Sequence, residues 1–534
     1  MSLFSAQLYP GRALGFLVLG ASLHDVLTRL KAEPQRFSKL ELMYDPVDPV
    51  RKPVVVGLPA NGLRLQFDGP EQRLRLIEVI DFTKNHIFLK PANEKERDLV
   101  RPASTDASAS SPPGPTFRHI YHRFLGPTYD GEFIPGPDGK PDGIYVLSYP
   151  GVAFNFPMKK SEYAPSKDVV SLLSSSAIPT GMAVFSGDSW AQAREVLWTE
   201  VLPSLKTFAP LVKGKESWPD EVSLVNIYGG GKLQVFRKWT DSHFWIMLGH
   251  TTPQDLITEL GPPDAIYRKN DQRMYIHKLR AASNTQGRPN GNDLMAKRQR
   301  QDDGSMDTDQ SSTNTGSDDY ESNDEVIEDD DELGNVSGEC FYNYFFLGFD
   351  ILVSTPTAAS QPPPSQDPGS VPEPLVTSAH KDRLVATKVI LHSNVPGSYP
   401  FNRHRRCRWQ IPYLTPSSTS PQDAVIDSET PFTEVEERLR EAWKSIYSSE
   451  ADARQKQRGM VLNRGWGDSP GSSIELLGSW EDSRNTGGVT AQSTMPGPGR
   501  KLDCGENSTT TLYGFPGLVF EVLKNGTVSA LTVF

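Results

Sequence analysis

The chain has 534 residues, 37% of them hydrophobic, with 43 Gly and 44 Pro, and a formal net charge of −11. This length exceeds one ordinary core, and the composition is that of globular units diluted by loops and low-complexity insertions. The acidity is local: residues 281–339 hold sixteen Asp or Glu and four Lys or Arg, a balance of −12 that leaves +1 elsewhere, so the total implies no polycation partner.

Three cysteines, Cys340, Cys407 and Cys504, stand far apart with no CxxC pair. That usage argues for a reducing compartment and against a disulfide framework or a structural zinc site. No stretch reaches the roughly 18 apolar residues of a membrane span. The apolar run at 13–23 resembles a signal-peptide core, but an equivalent run recurs in mid-chain, so it reads as a strand entering a helix.

In chain order, one pattern returns four times: a Gly followed by apolar residues at the next, third and fifth positions. The instances are Gly62 with Leu63, Leu65 and Phe67; Gly151 with Val152, Phe154 and Phe156; Gly348 with Phe349, Ile351 and Val353; and Gly517 with Leu518, Phe520 and Val522. Alternation with period two suits a half-buried strand, and Gly suits the turn that enters it. A strand precedes each Gly (Val54 to Val56, 145–149, 342–346, Leu512 with Tyr513). A third strand follows in three cases (74–80, 385–391, 528–533), so each unit reads as an antiparallel meander. Asn525-Gly526 is a strong hairpin signal within the last.

A helix is expected before each meander. Leu125-Gly126-Pro127, Leu260-Gly261-Pro262 and Leu477-Gly478 read as helix stops. Ser22 with Asp25 and Thr252 with Asp255 have capping-box spacing, and Pro253 suits the first helical position. The expected fold class is therefore α+β, about four repeated helix-plus-antiparallel-meander units forming packed sheets. The division is 11–90 for the first unit, 91–115 for a disordered linker, and 116–240 for a second unit with extra strands. Residues 241–412 form a third unit interrupted by disordered 281–339 and 355–380; 413–430 is a linker and 431–534 the fourth unit. Lys297-Arg298-Gln299-Arg300 and the acidic run 328–332 read as solvated parts of an insertion.

The search for catalytic chemistry comes back nearly empty. There is no phosphate-binding loop, no GxSxG elbow and no HExxH, and Tyr228-Gly229-Gly230-Gly231-Lys232 lies between two strands as a hairpin turn. His119 and His122 share a helical face but lack a further ligand. No catalytic residue, metal or cofactor is expected, and the chain reads as non-enzymatic. The one concentrated segment is 392–412, where Arg403, His404, Arg405, Arg406 and Arg408 crowd beside Trp409. These five are candidates for binding phosphate or a lipid headgroup, because guanidinium groups match phosphate oxygens. The alternative is a strand whose charges discourage aggregation or pair with acids elsewhere. Nucleic acid is not expected, since the rest of the chain lacks a basic face. Cys407 would have a lowered pKa if exposed among these arginines, but no general base is placed beside it.

Asn343-Tyr344-Phe345-Phe346-Leu347-Gly348-Phe349-Asp350, Leu391 to Gly397, Phe401-Asn402, Arg406-Cys407 and Ile411-Pro412 resemble the signature of the phagosome assembly factor family, long catalogued as an uncharacterised family related in name to Lin-ten. Gly62 to Asp68, Leu125 to Thr128, Tyr149-Pro150-Gly151 and Phe520-Glu521-Val522 fit it as well, so the likeness runs along nearly the whole ordered chain. The family reads His-Arg-Cys where Arg405-Arg406-Cys407 stands here, and the acidic insertion is atypical. The resemblance implies a cytosolic, non-enzymatic factor of autophagy at the phagophore assembly site. It also implies a complex with a WD40 β-propeller of the breast carcinoma amplified sequence three type, with phosphoinositide recognition mainly in the propeller. Family-level inference also places members at the Golgi in vesicle trafficking. A rival reading from the residues is a carrier or unrecognised enzyme with a pocket for an apolar ligand between sheet and helices, lined by the aromatics at 342–349.

Overall fold

The computed structural model describes residues 4–91, 95–100, 114–136, 142–205, 220–268, 339–355, 383–414, 425–463, 489–493 and 509–534. The fold is α+β, mostly antiparallel sheet with few helices. Two large apolar cores divide it, one drawn mainly from residues 4–184 and one from 225–533.

All four predicted Gly turns have positive φ: Gly62 at 61°, Gly151 at 76°, Gly348 at 93° and Gly517 at 77°. Each joins paired strands: Val54–Leu58 to Leu63–Phe67, Asp142–Tyr149 to Val152–Lys159, Cys340–Tyr344 to Phe349–Ser354, and Thr509–Phe515 to Leu518–Leu523. The alternation is that of the burial, since Leu63, Leu65 and Phe67 are wholly enclosed while Arg64 between them is exposed.

Within each half, two four-stranded meanders meet through their final strands. In the first, Leu40–Tyr44, Val54–Leu58, Leu63–Phe67 and Leu74–Val79 form one meander; Glu132–Pro135, Asp142–Tyr149, Val152–Lys159 and Gly181–Val184 form the other. They join where Met182 faces Val79, and Val489–Ser493 adds a parallel strand beside Leu40–Tyr44. In the second half Ala265–Arg268, Cys340–Tyr344, Phe349–Ser354 and Val385–His392 meet Met460–Asn463, Thr509–Phe515, Leu518–Leu523 and Val528–Val533, with Leu391 facing Leu531.

A smaller five-stranded sheet accompanies each large one, again with matching order. Leu17–Val18, Ala13–Leu14, Phe4–Tyr9, Asn85–Leu89 and Arg97–Asp98 correspond to His243–Met247, Lys232–Arg237, Val222–Tyr228, Trp409–Ile411 and Ile426–Asp427. The third and fourth strands of each run parallel, so the chain leaves the small sheet, builds a meander, and returns. The Gly229 to Gly231 stretch is the predicted hairpin turn, with Tyr228 facing Lys232.

The helices follow their capping signals. Helix Leu23–Ala32 starts at Ser22, whose hydroxyl accepts from the Asp25 N–H, and buries Leu23, Val26, Leu27 and Leu30 on one face. Helix Pro253–Leu260 carries the full reciprocal box between Thr252 and Asp255 and stops at Gly261. The stop at Gly126 follows a short turn, Phe117–His119, that continues as a π-helix over Ile120–Phe124.

Three boundaries differ from expectation. Strands Val222–Tyr228 and Lys232–Arg237, assigned above to the second unit, bury Val225, Ile227, Leu233 and Val235 in the second core. The supposed linker at 91–115 contains Arg97–Asp98, paired to Phe88 and Leu89, and the buried Leu99. The fourth unit has its helix at Phe432–Ala442, whereas Gly478 lies outside the described residues. Also outside lie 281–338, 356–380, the basic run 297–300, the acidic run 328–332 and Cys504.

Candidate functional site: an ionic junction between the two halves

After strand Val385–His392 the chain makes a long excursion before re-entering sheet at Trp409–Ile411. This segment leaves its own half, and Phe401 packs in the first core. Asn394 and Asn402, both at positive φ, shape it: Asn394 Oδ1 accepts from the Asn402 N–H (2.7 Å). Across the junction Asn394 Nδ2 donates to Gln72 Oε1 (2.7 Å), and Gln72 Nε2 donates to the Asn394 carbonyl (2.9 Å).

The arginine cluster lies in this excursion. Arg405 and Arg406 are buried, 6% and 5% exposed. Arg405 binds Asp25 of the first helix and reaches Glu221 at 3.2 Å, while Arg73 meets the other Glu221 oxygen at 2.7 Å. Arg406 donates to the Pro70 carbonyl (2.7 Å), the Ser393 carbonyl (2.7 Å) and Glu429 (2.8 Å). Arg408 makes a two-point contact with Glu429 at 3.1 Å through both Nε and Nη2. Lys238 holds Glu71 at 2.6 Å. Five cations, Arg73, Lys238, Arg405, Arg406 and Arg408, thus meet four carboxylates, Asp25, Glu71, Glu221 and Glu429.

The titration behaviour follows. Burial opposes the charge on Asp25, but Arg405, with help from His24 and Ser22, holds the carboxyl below its usual range. Burial likewise opposes ionised Glu221 and Glu429. Arg405 and Arg73 win at the first, and Arg406 and Arg408 lower the second to about 2. All these carboxylates are charged at neutral pH. A small cavity of about 10 Å³ between Glu71, Arg73, Ser223, Lys238, Arg406 and Arg408 has room for a water.

As a phosphate site, then, the candidates divide. Arg405 and Arg406 already have carboxylate partners and lie inside; Arg408 is half-buried on Glu429, and His404 is 2% exposed. Of the five only Arg403 is exposed. The geometry is that of charges paired with acids from elsewhere, the alternative reading of the same residues. Cys407 is enclosed, and burial pushes its thiol up to about 12 rather than down. Tyr344 and Phe349, proposed as a ligand lining, pack with tilted rings 5.6 Å apart within the second core. His119 and His122 do not converge: His119 Nε2 sits 2.7 Å from the Asp98 carbonyl and His122 is exposed.

Sequence reasoning passed over one cluster. His392 Nε2 and His404 Nε2 each lie 2.9 Å from an oxygen of Asp350, with their rings stacked 3.8 Å apart. Asn343 on the neighbouring strand donates to the same carboxylate (2.8 Å). Burial and the adjacent His392 push His404 down to about 4, against the pull of Asp350. The buried His404 Nδ1 has no hydrogen-bond partner among the described residues. Separations of 42 and 54 positions from Asp350 hide the cluster from any spacing rule.

Comparison with known proteins decides the family. The family described as phagosome assembly factor 1 matches residues 13–293 and 377–534. The chain belongs to that family. A PHAF1 protein of Arabidopsis thaliana is 22% identical over 99% of this chain and 92% of its own length. One of Drosophila melanogaster is 21% identical, covering 97% and 90%. A third, of Caenorhabditis elegans, is 31% identical over 26% of this chain and 28% of its own. No solved structure matches the chain. The unmatched stretch 294–376 takes in the acidic part of the insertion together with strands Cys340–Tyr344 and Phe349–Ser354. The family name carries a role in phagosome or autophagosome assembly, and among the described residues no helix is long and apolar enough to cross a membrane.

Proposed function

We propose that this chain is a non-enzymatic adaptor of autophagy, acting at the phagophore assembly site in complex with a WD40 β-propeller on phosphoinositide-bearing membranes. Family membership supports the process. The adaptor role draws on strands that, among the described residues, lie at sheet edges and carry apolar side chains. Edge strand His243–Met247 exposes Trp245 (44%) and Met247 (42%), with Tyr228 packed against Trp245 at 5.3 Å. Edge strand Ala265–Arg268 exposes Ile266 and Tyr267. Edges of this kind accept a strand or a flat apolar face from another protein. Membrane phosphate recognition falls to the propeller in this reading, because Arg405 and Arg406 are internally paired.

The observation carrying the proposal is the exposed Trp245–Met247 edge on a chain of this family. Tagged full-length protein, purified from starved and fed cells, tests it. A WD40 protein should co-purify, the tag should gather into puncta on starvation, and Trp245→Lys with Met247→Lys should lose the partner while staying folded. Diffuse signal with no WD40 protein recovered would sink the proposal, and steady Golgi labelling would favour vesicle trafficking.

A further inference from the structure

The Asp350, His392 and His404 cluster is independent of any adaptor surface. Its three side chains come from separate places: the start of strand Phe349–Ser354, the end of Val385–His392, and the excursion that follows. Asp350 faces away from the second core, whose members Phe349 and Ile351 flank it, so its carboxylate lies beneath the excursion. Its position is set by Asn343, directly opposite in the strand register. His404 is held by Phe345 at 5.0 Å.

Three features separate this cluster from an ordinary buried ion pair. Among the described residues no Lys or Arg pairs with Asp350, whose ion-pair partners are imidazoles alone. The two rings stack nearly parallel, 15° apart, and each Nε2 contacts a different oxygen of the same carboxylate. The three donor atoms lie within 4.8 Å of one another, and two histidines with one carboxylate form a ligand set suited to a borderline-soft divalent cation. Zinc–ligand bonds of about 2.0–2.1 Å place tetrahedral ligands roughly 3.3 Å apart. The present 2.9 Å contacts therefore open by a few tenths of an ångström, and the stacked rings tilt so that both Nε2 lone pairs converge on the ion. His392 is half-buried and Asp350 and His404 are enclosed, which leaves the His392 side for entry and for a fourth, water ligand.

We propose that Asp350, His392 and His404 bind one Zn²⁺ ion, which pins the 393–408 excursion to the sheet beneath it. Each imidazole would bind the ion as the neutral ring, with Nε2 the ligand and its one proton on Nδ1. The role is structural: the ion offsets a buried carboxylate and fixes the segment that joins the halves.

Full-length protein stripped with chelator and titrated with Zn²⁺ tests this. One equivalent should bind and raise the unfolding temperature, and Asp350→Asn or His392→Gln should weaken binding at least about tenfold. His392 is the least buried ligand, so His392→Gln, checked for native circular dichroism, guards against simple misfolding. Co²⁺ in place of Zn²⁺ should give ligand-field bands without a thiolate charge-transfer band, which separates this site from one built on cysteine. The surface group His86, Glu96 and Asp98 is the internal competitor. Folded protein that takes up no Zn²⁺, or binding that survives His392→Gln and is lost in His86→Gln, would overturn the assignment.

Discussion

Asp25 and Arg405 stand 380 positions apart and are hydrogen-bonded to each other. Asp25 sits three residues after the Ser22 cap, where its counterpart Asp255 returns a bond to its own cap residue. In the first half the carboxylate turns instead to the other half of the molecule. The same sequence device closes a full reciprocal cap in one place and, in the other, keeps the Ser22 cap while its carboxylate joins the halves.

That pairing sets the cost of breaking it. Arg405→Ala leaves Asp25 and Glu221 buried without their main cation and should destabilise the protein by about 3–5 kcal/mol. Adding Asp25→Ala should recover part of the loss, because one stranded charge is gone. Denaturant unfolding of both variants measures the coupling; strictly additive losses would mean the pair is not linked.

Acid should release the junction. Glu429 is depressed from 4.5 to about 2, so the unfolded chain binds more protons in that window. The stability it contributes is complete above about pH 4.5 and lost as pH falls toward 2. The loss reaches about 3 kcal/mol at 1.36 kcal/mol per pH unit. Glu429→Gln should be less stable at neutral pH and flatter below pH 4.5, as read by unfolding midpoints across pH.

Gly348 is where the excursion crosses the sheet. At φ +93° a Cβ there would lie 2.4 Å from the Arg405 carbonyl oxygen, which is backbone and has little freedom to move. Gly348→Ala should cost more than about 1 kcal/mol, with strain added to the clash. Gly126, where a Cβ meets nothing within 4 Å, is the control, since Gly126→Ala pays for its positive φ alone.

Cys407 should be chemically silent in the folded protein. Its thiol is enclosed and pushed up to about 12, so almost no thiolate exists near neutral pH. In a Cys340→Ser, Cys504→Ser background, thiol reagents should label Cys407 only as fast as the chain unfolds. Rapid labelling under native conditions would show that this segment opens on its own.

Much of the local structure was legible in the sequence. A Gly ahead of alternating apolar residues forces a turn into a half-buried strand, and Thr252 with Asp255 can only start a helix efficiently. Such features act over a few residues, and the four meander hairpins followed from them. Strand order did not, because Val79 meeting Met182 and Leu391 meeting Leu531 are pairings between distant segments. The unit boundary near 222 was misplaced for the same reason: the hairpin over 222–237 is locally complete, and its parallel pairing with Trp409 and Gln410 and the burial of Val225, Ile227, Leu233 and Val235 assign it to the second core.

The arginine segment marks the division most clearly. By itself the sequence determined that charge and an aromatic ring are concentrated at 403–409, and that such charge must find either solvent, phosphate or carboxylate. Tertiary structure alone decided among these, by bringing Asp25, Glu221 and Glu429 against it and by stacking His392 and His404 over Asp350. The physical reason is distance: electrostatic partners are set by proximity in space, and a chain carries no local record of which of its far segments will arrive.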